Sequence, residues 1–324
     1  MEGDVILSII IVNWKSVDFT RKCLASVYAH VKDMRLEIIV IDNASFDGCG
    51  EMIQREFLQV QFIQSQENMG FARANNVAFE HSRGEVLLFL NPDTEIIGNA
   101  LQDMMACVQS VQDAGVVGAK LLNSDLTIQT SCLQSFPSIL NQFLDTELLR
   151  RLIPKSFLWG NRALFEESRQ PVPAKGISGA CMMMGRSVFE QAGCFSQDYF
   201  MYAEDMDLCA KVQRGGRSNY YVGDAVVIHH GGQSSGSQNN NHFSTLVMRE
   251  SLFTYFRIHR GEFYARLFRL MTALAALGRI SVLAAAMILP RSVVRRRSLA
   301  IAFPKWVMVF RWAIGLETWV QGSK

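Results

Sequence analysis

Within the first 90 residues, short apolar runs alternate with helical segments, and that alternation limits the fold more than any other feature. Val5–Val12 and Leu36–Ile41 read as buried strands, with Val60–Ile63 a weaker third. Val86–Leu90 is too short for a helix with its own core face and suits a strand buried on both sides. Between the runs, Ser16 or Asp18 caps a helix through about Val31, with Leu24, Val27, Tyr28 and Val31 on one face. A second helix is expected over Gly48–Phe57, and the turn Asn68–Phe71 leads into a third over Ala72–His81. Strand and helix in this order give an α/β fold with a parallel sheet and helices on both faces.

In such sheets, ligands bind beyond the C-terminal ends of the strands. Three runs end in polar residues there: Asn13, Asp42 and the Asn91-Pro92-Asp93 turn. Pro92 lacks the N–H a central strand needs, so the strand stops and leaves a carboxylate at its tip. Oxygen ligands suit Mg²⁺ or Mn²⁺, and Mg²⁺ sites pair one or two carboxylates with substrate phosphates. Asp93 is thus placed to hold a divalent metal, and a solvated turn aspartate is the alternative. Asp42 could accept hydrogen bonds from a base or ribose, or cap an Asx-turn. The turn after the first strand, Asn13-Trp14-Lys15-Ser16, has neither Gly-x-Gly-x-x-Gly nor a phosphate-cradling Gly-x-x-x-x-Gly-Lys-Ser/Thr. Phosphate must therefore be neutralised otherwise, and a metal on Asp93 would serve.

Further along, Leu101–Val111 reads as a helix and Val116–Ala119 as a short strand. From Leu121 to Pro173 the pattern is poor, with a strand expected at Leu126–Ser131 and a helix over Ile139–Leu152. Weakly patterned segments of this length are often binding loops. In Ala174–Val188, Gly179 and Ala180 would let a ligand approach the backbone closely. Glu204, Asp205 and Asp207 cluster where a helix begins, and Gly215-Gly216 ends it. Such acids complement the helix dipole, and one of them could point into a cleft as a base. Tyr220–Tyr221 and Ala225–Ile228 are expected as short strands delivering His229, a candidate metal ligand, before Gly231-Gly232.

The chain of 324 residues is long enough for a sizeable core, and 49% apolar content with 19% charged residues describes a globular protein. A net charge of +2 argues against nucleic acid as a partner. Seven cysteines without metal-clip spacing read as reduced, mostly buried thiols in a cytosolic compartment. The acidic Met-Glu-Gly-Asp start does not read as a signal peptide.

Four stretches together resemble the nucleotide-binding half of the glycosyltransferase family 2 enzymes: Ser8–Trp14, Ile39–Ser45, Asn68–Asn75 and Leu90–Asp93. Tyr202–Cys209 and His229–Gly232 resemble its acceptor half, and the likeness over about residues 5–260 is greatest to rhamnosyltransferase-like members that build bacterial surface polysaccharides. The resemblance implies a GT-A fold, Rossmann-like with a mostly parallel central sheet, here with a C-terminal helical extension. It divides residues 1–260 into a nucleotide-binding half (1–95) and an acceptor half (96–260), with 261–324 as the extension. It implies a nucleoside-diphosphate sugar donor, a glycan or lipid-linked acceptor, Mg²⁺ or Mn²⁺, and inversion at the anomeric carbon. By resemblance, Asp42 contacts the nucleoside, and Val12, Asn13, Asn43, Gly70, Arg73, Asn75 and Asn91 join it around the donor. Asp93 matches the last aspartate of a metal-binding Asp-x-Asp, His229 the histidine of His-x-Gly-Gly, and Asp205 the catalytic base, with Gly179 and Glu204 beside the acceptor. One departure is Asn91, where the motif has its first aspartate; one negative charge fewer weighs against tight metal binding before the donor arrives.

Residues 242–260 read as an amphipathic helix with Phe243, Leu246, Val247, Phe253 and Phe256 inward. In Phe263–Leu289, the uncharged stretches flanking Arg279 each fall short of the roughly 20 residues a spanning helix needs. Arg291 and Arg295–Arg297, beside a helix carrying Phe303, Trp306, Val307, Phe310, Trp312 and Trp319, suit an anionic membrane surface. A helical pair packed on the catalytic domain, or on a second copy in a homo-oligomer, is the alternative. The expected location is cytoplasmic, peripheral on the inner face of the cell membrane. Two other functions compete: a sugar-1-phosphate nucleotidyltransferase, against which Asn13–Ser16 lacks the Gly-rich basic loop, and a non-catalytic membrane assembly subunit, against which stand Asp93, Asp205 and His229 together.

Overall fold

In the computed structural model, which describes residues 6–31, 34–144, 149, 152–156, 158–166, 168, 170–231, 241–288 and 293–318, the expected α/β sheet is present. Its strands are β1 (Leu7–Asn13), β2 (Leu36–Asp42), β3 (Gln61–Gln64), β4 (Val86–Leu90), β5 (Thr94–Ile97) and β6 (Ala114–Leu122), then β8 (Val172–Ala174), β10 (Cys181–Gly185) and β11 (Ser218–His229); β7 (Leu133–Gln134) and β9 (Gly176–Ile177) form a separate two-stranded ladder. The order is β3-β2-β1-β4-β10-β6-β11-β5, with β8 also on β11. β3, β2, β1 and β4 run parallel, and the near-continuous apolar runs of β1 and β4 follow from burial at every position, while β3, the edge strand, is only partly buried. β10 then enters antiparallel between β4 and β6, pairing Cys181 with Leu90 and Met183 with Val117.

The helices are α1 (Val17–His30), α2 (Cys49–Glu56), α3 (Gly70–Glu80), α4 (Ala100–Ser110), α5 (Ile139–Leu144), α6 (Arg186–Gln191), α7 (Glu204–Arg214), α8 (Asn241–Arg260), α9 (Glu262–Ile288) and α10 (Val293–Ala313). α1 buries Thr20, Cys23, Leu24 and Val27, the one-face spacing of an amphipathic helix. Phe89 from β4 packs against Phe189 and Phe195 at 4.8 and 4.9 Å between ring centroids, so the sheet centre is an aromatic core. All seven cysteines are free, and burial pushes the thiols of Cys23, Cys49 and Cys181 up to about 12.

Several expected elements differ. Leu126–Ser131 is not a strand: Ile128 makes a single bridge to Leu122, and Thr130–Cys132 is a turn of 3₁₀ helix. The two short strands at Tyr220–Tyr221 and Ala225–Ile228 are one strand, β11, whose register on β6 shifts between Val222 and Val226. β5, directly after Asp93, had no apolar run to announce it.

The chain divides into two compact units. One comprises Met1–Phe136, Ile153–Phe200 and Glu204–Gly236, and the other Pro137–Leu152, Met201–Ala203 and Ser237–Lys324. α8 therefore belongs with the C-terminal helices rather than with the residues before it. In this second unit Phe256 of α8 meets Phe268 of α9 at 4.8 Å, and the Arg269 Nη2 donates to the Trp312 carbonyl of α10 at 2.6 Å. Val247 and Phe256 are buried as expected of the α8 face, with Phe243, Leu246 and Phe253 partly so. α9 is one unbroken helix, and Glu262–Met287 is long and apolar enough to cross a membrane by length and composition, correcting the expectation that Arg279 divides it into short pieces. The aromatic face of α10 is also not outward: Trp312 is buried, and the Arg279 guanidinium lies 4.0 Å above the Trp306 ring. α9 itself carries exposed apolar side chains, with Phe263 at 81% exposure and Leu270, Leu274, Leu277 and Val282 following. Gly232, Leu289, Arg291 and Trp319, and the side chains of Arg295–Arg297, lie outside the described residues.

Gly70 tests the first unit. Its φ is +76°, and a Cβ there would stand 2.2 Å from the Phe200 carbonyl oxygen, which accepts the Phe71 N–H at 2.8 Å. Gly70→Ala is expected to lose roughly 2–5 kcal/mol of unfolding free energy, the sum of left-handed strain and overpacking against backbone, measured by urea denaturation.

Candidate functional site

The site is built at the C-terminal tips of β1, β2 and β4, where antiparallel β10 begins. On the β1–β2 side the polar groups are occupied within the fold. The Asn13 amide donates to Asp42 Oδ1 at 2.6 Å, Ser45 Oγ at 3.0 Å and Asp47 Oδ1 at 3.1 Å, while its oxygen accepts from Ser16 and Thr20. Asp42 accepts from Asn13, the Ser45 hydroxyl and N–H, the Phe46 N–H and Gln64 Nε2. Burial opposes its charged form, but these bonds from Ser45, Gln64, Phe46 and Asn13 outweigh it and hold the carboxyl below the usual range. Asn43 donates to Asn68 and to the Gly70 carbonyl and accepts the Met69 N–H, tying β2 to the start of α3. Val12 is core, Asn75 donates to the Phe71 carbonyl at 2.9 Å, and Arg73 reaches Glu67 at 3.6 Å from a half-exposed position.

The β4 tip is different. Asp93 is 1% exposed and both of its carboxylate oxygens are buried without a hydrogen-bond partner. His229 Nε2 lies 3.3 Å from Asp93 Oδ1 and 3.4 Å from Asn91 Nδ2, and His229 Nδ1 lies 2.7 Å from Gln129 Oε1. β11 delivers the histidine by pairing His229 with Thr94, and the His230 N–H donates to the Asp93 carbonyl at 2.9 Å. A buried carboxylate lacking donors is costly unless it is paired or coordinates a metal. The donor set, one carboxylate and one imidazole nitrogen, fits a divalent cation that keeps positions for substrate phosphate oxygens. Among the described residues no group of three or more His, Cys, Asp or Glu converges, so a cation held here would have Asp93 and His229 as its protein donors and would leave positions for substrate and water.

Asp205 comes to the same sheet edge through β10. The Gly179 N–H donates to Asp205 Oδ2 at 3.0 Å, the Asn91 N–H donates to the Ala180 carbonyl at 2.9 Å, and Cys181 is in register with Leu90. A Cβ at Gly179 would meet Asp205 Cβ at 3.4 Å, so what Gly179 contributes is chiefly its N–H. The Met206 N–H also donates to Asp205 Oδ1, at 2.7 Å. Burial raises the Asp205 carboxyl above its ordinary value, and these N–H bonds oppose the rise. Neighbouring Glu204 is pushed much further up, by burial and then by the charge of Asp205, and its Oε2 has no hydrogen-bond partner. Both acids are shifted upward, Glu204 further than Asp205.

Asp207, the third acid of this cluster, is a structural anchor. Fully buried, it accepts from Ser196 Oγ at 2.6 Å and Tyr199 Oη at 3.4 Å and pairs with Lys211 Nζ at 3.2 Å. Gln129 is a contributor that sequence reasoning did not single out. It sits in the poorly patterned stretch after Leu121, where no spacing links a glutamine to a histidine a hundred residues on.

The glycosyl transferase family 2 model matches residues 8–193. The low-salt glycan biosynthesis hexosyltransferase Agl10 of Haloferax volcanii is 27% identical over 228 residues, 68% of this chain and 65% of that protein, so the match spans slightly under two thirds of that relative. The N-acetylglucosaminyl-diphospho-decaprenol L-rhamnosyltransferase of Mycobacterium tuberculosis is 26% identical over 237 residues, 69% of this chain and 76% of that one. The rhamnosyltransferase WbbL of Escherichia coli is 26% identical over 231 residues, 68% and 82%. Among solved structures, a mannosyltransferase from Pyrobaculum calidifontis in complex with GDP-Man and Mn²⁺ has a TM-score of 0.59 at 16% identity, covering 96% of this chain and 86% of its own. Residues 1–349 of Staphylococcus aureus TarS give a TM-score of 0.51 at 14% identity, covering 95% and 90%. With its GT-A sheet and the family match over more than half its length, this chain belongs to glycosyl transferase family 2 and is a glycosyltransferase.

Proposed function

We propose that this glycosyltransferase is metal-dependent and inverting, and that it moves a sugar, rhamnose in our reading, from a nucleoside-diphosphate donor to a glycan or polyprenyl-linked acceptor in surface-polysaccharide synthesis. One observation carries the reading: an unpartnered buried carboxylate, Asp93, lies beside His229 at the sheet edge to which Gly179 ties Asp205. The choice of sugar is supported by two relatives named as rhamnosyltransferases, one of them for a decaprenol-linked substrate.

Asp93 and His229 would hold Mg²⁺ or Mn²⁺, which when bound neutralises the charge developing on the departing diphosphate. Asn91 completes that wall with an amide rather than a second charge. Asp205, its oxygens aligned by the N–H groups of Gly179 and Met206, takes the proton from the acceptor hydroxyl. Attack by that oxygen from the face opposite the diphosphate inverts the anomeric centre. Glu204, protonated, offers a hydrogen-bond donor beside the base without adding a second negative charge. The exposed apolar face of α9 supports a peripheral, cytoplasmic-side attachment to membrane, which would hold the enzyme where a lipid-linked acceptor lies.

Asp205→Asn is expected to lower kcat by about 10²–10⁴-fold, whereas Asp207→Asn loses stability but keeps most of its rate per folded molecule. The reverse pattern would remove Asp205 as the base. Because burial raises the Asp205 carboxyl and the base must be ionised, the rate should rise with pH along a limb displaced upward from that of an ordinary aspartate. Loss of proton acceptance as pH falls gives the sign, and the residual activity of Asp205→Asn should lack that limb.

Asp93→Asn should raise the metal-free unfolding temperature, since a neutral amide can donate to His229 Nε2 where a bare carboxylate cannot. The same variant should abolish the stabilisation that Mn²⁺ gives the parent protein, as read by thermal unfolding with and without the ion. An Mn²⁺ shift surviving in Asp93→Asn would refute the assignment.

The full chain should co-float with vesicles containing anionic lipid, and Leu270→Glu, Leu274→Glu and Leu277→Glu combined should abolish flotation. Absence of flotation by the parent chain, with a dimer seen by light scattering, would give the α9 face to a second copy instead.

A further inference from the structure

We propose that Gln129 is a positioning residue that fixes His229 as its Nδ1–H tautomer and so leaves Nε2 as a bare electron pair facing Asp93. The direction of every proton follows from a chain of hydrogen bonds that begins at the surface. Asp125 is an exposed carboxylate whose hydrogen bond from the Thr127 hydroxyl, with the Thr127 N–H, holds its carboxyl below the usual range, so it can only accept. Thr127 Oγ1 donates its one proton to Asp125 Oδ1 at 2.6 Å and therefore accepts from Asn123 Nδ2 at 2.9 Å. That turns the Asn123 oxygen to Gln129, whose Nε2 donates to Asn123 Oδ1 at 3.1 Å. Gln129 in turn presents only its Oε1 to His229, 2.7 Å from Nδ1.

Each link has one polarity. Reversing an amide would set two donors or two acceptors against one another along the line. On the far side of the ring Nε2 meets a donor and an acceptor, Asn91 Nδ2 at 3.4 Å and Asp93 Oδ1 at 3.3 Å, so the assignment is carried by the line through Gln129. An imidazole with a single N–H carries it on Nδ1 here, facing Gln129 Oε1 at 2.7 Å. The turn that holds this line is closed by its own backbone: the Asn123 N–H donates to the Thr127 carbonyl at 2.8 Å, and the Gln129 N–H to the Leu121 carbonyl at 2.9 Å. Leu126 takes a φ of +64° within it. A histidine that ligates metal commonly donates its other N–H to a carbonyl or carboxylate, which sets the tautomer and ring orientation. The purpose assigned to this tautomer rests on the metal reading above, but the tautomer itself does not.

The test uses the full chain, stripped of metal with a chelator and labelled with ¹⁵N-histidine, with His229 assigned by its loss in His229→Asn. Long-range ¹⁵N–¹H correlation should show Nδ1 protonated and Nε2 unprotonated. Gln129→Met, of similar length but a poor acceptor, should lose the fixed tautomer and weaken Mn²⁺ binding by about 10–100-fold, measured from free Mn²⁺ by electron paramagnetic resonance. Gln129→Glu keeps an acceptor for Nδ1–H and should keep the tautomer and most of the Mn²⁺ affinity, a rescue that mere loop packing would not produce. Finding Nε2–H in the metal-free parent, or an unchanged tautomer in Gln129→Met, overturns the proposal. A parent in the Nδ1–H form, released in Gln129→Met but with no Mn²⁺ bound by any variant, supports the role of Gln129 and sinks the metal reading instead.

Discussion

The pairing of Leu90 with Cys181 fixes where chemistry can occur in this molecule. β4 is parallel to its neighbour β1, so its carboxyl end opens at the edge where α/β sheets take ligands. β10 runs the other way, so its first residue, not its last, lies at that edge. The chain entering β10 therefore passes beside Asn91-Pro92-Asp93, and the Ala180 carbonyl and Gly179 N–H are spent on Asn91 and Asp205 respectively. A one-residue slip in this register would invert every β10 side chain across the sheet, and Met182, Met183 and Met184 are fully buried on both faces. Core packing thus holds Asn91, Gly179 and Asp205 in register at one sheet edge.

The acids of the first unit separate by how their oxygens are satisfied. Asp42 and Asp207 are buried and fully engaged, so they stabilise the turns and the helix that present the site. Asp93 is as buried as Asp42 but has no donor, and Glu204 is buried with one oxygen unpartnered. Both are unfavourable in the unliganded fold. The surrounding sheet, buried on both faces from β1 to β4, tolerates that cost, and any ligand that supplies positive charge or a proton at Asp93 relieves it. Binding and stability are then coupled at one residue.

The sheet's parallel half was legible because each strand is a local run of apolar residues and each tip is marked by a polar one. The tips did not reveal whether their polar atoms are free. Asp42 and Asp93 look alike in sequence, and only the partners converging from Ser45, Phe46 and Gln64 set them apart. Spacing alone likewise left Asp205 and Asp207 equal. The distinction comes from Gly179 on one side and from Ser196, Tyr199 and Lys211 on the other, all remote or outside the helix pattern. β5 and the turn carrying Gln129 escaped because neither has periodicity of its own: each is defined by what it pairs with, β11 in one case and Leu121 in the other.

The C-terminal helices show the same limit from the opposite direction. Arg279 marked an interruption when α9 was read as a line of residues, because a charge is costly in an apolar segment. In three dimensions its guanidinium lies over Trp306 and Arg269 reaches the Trp312 carbonyl, so both of these cations are directed to α10. Trp306 and Trp312, counted towards a membrane face, are taken up by this packing, while Leu270, Leu274 and Leu277, spaced at four and three residues, form an exposed stripe. Below the exposed Arg266–Glu262 pair, this stripe is a run of apolar side chains in water, the kind of surface that usually marks a contact with a partner or a membrane.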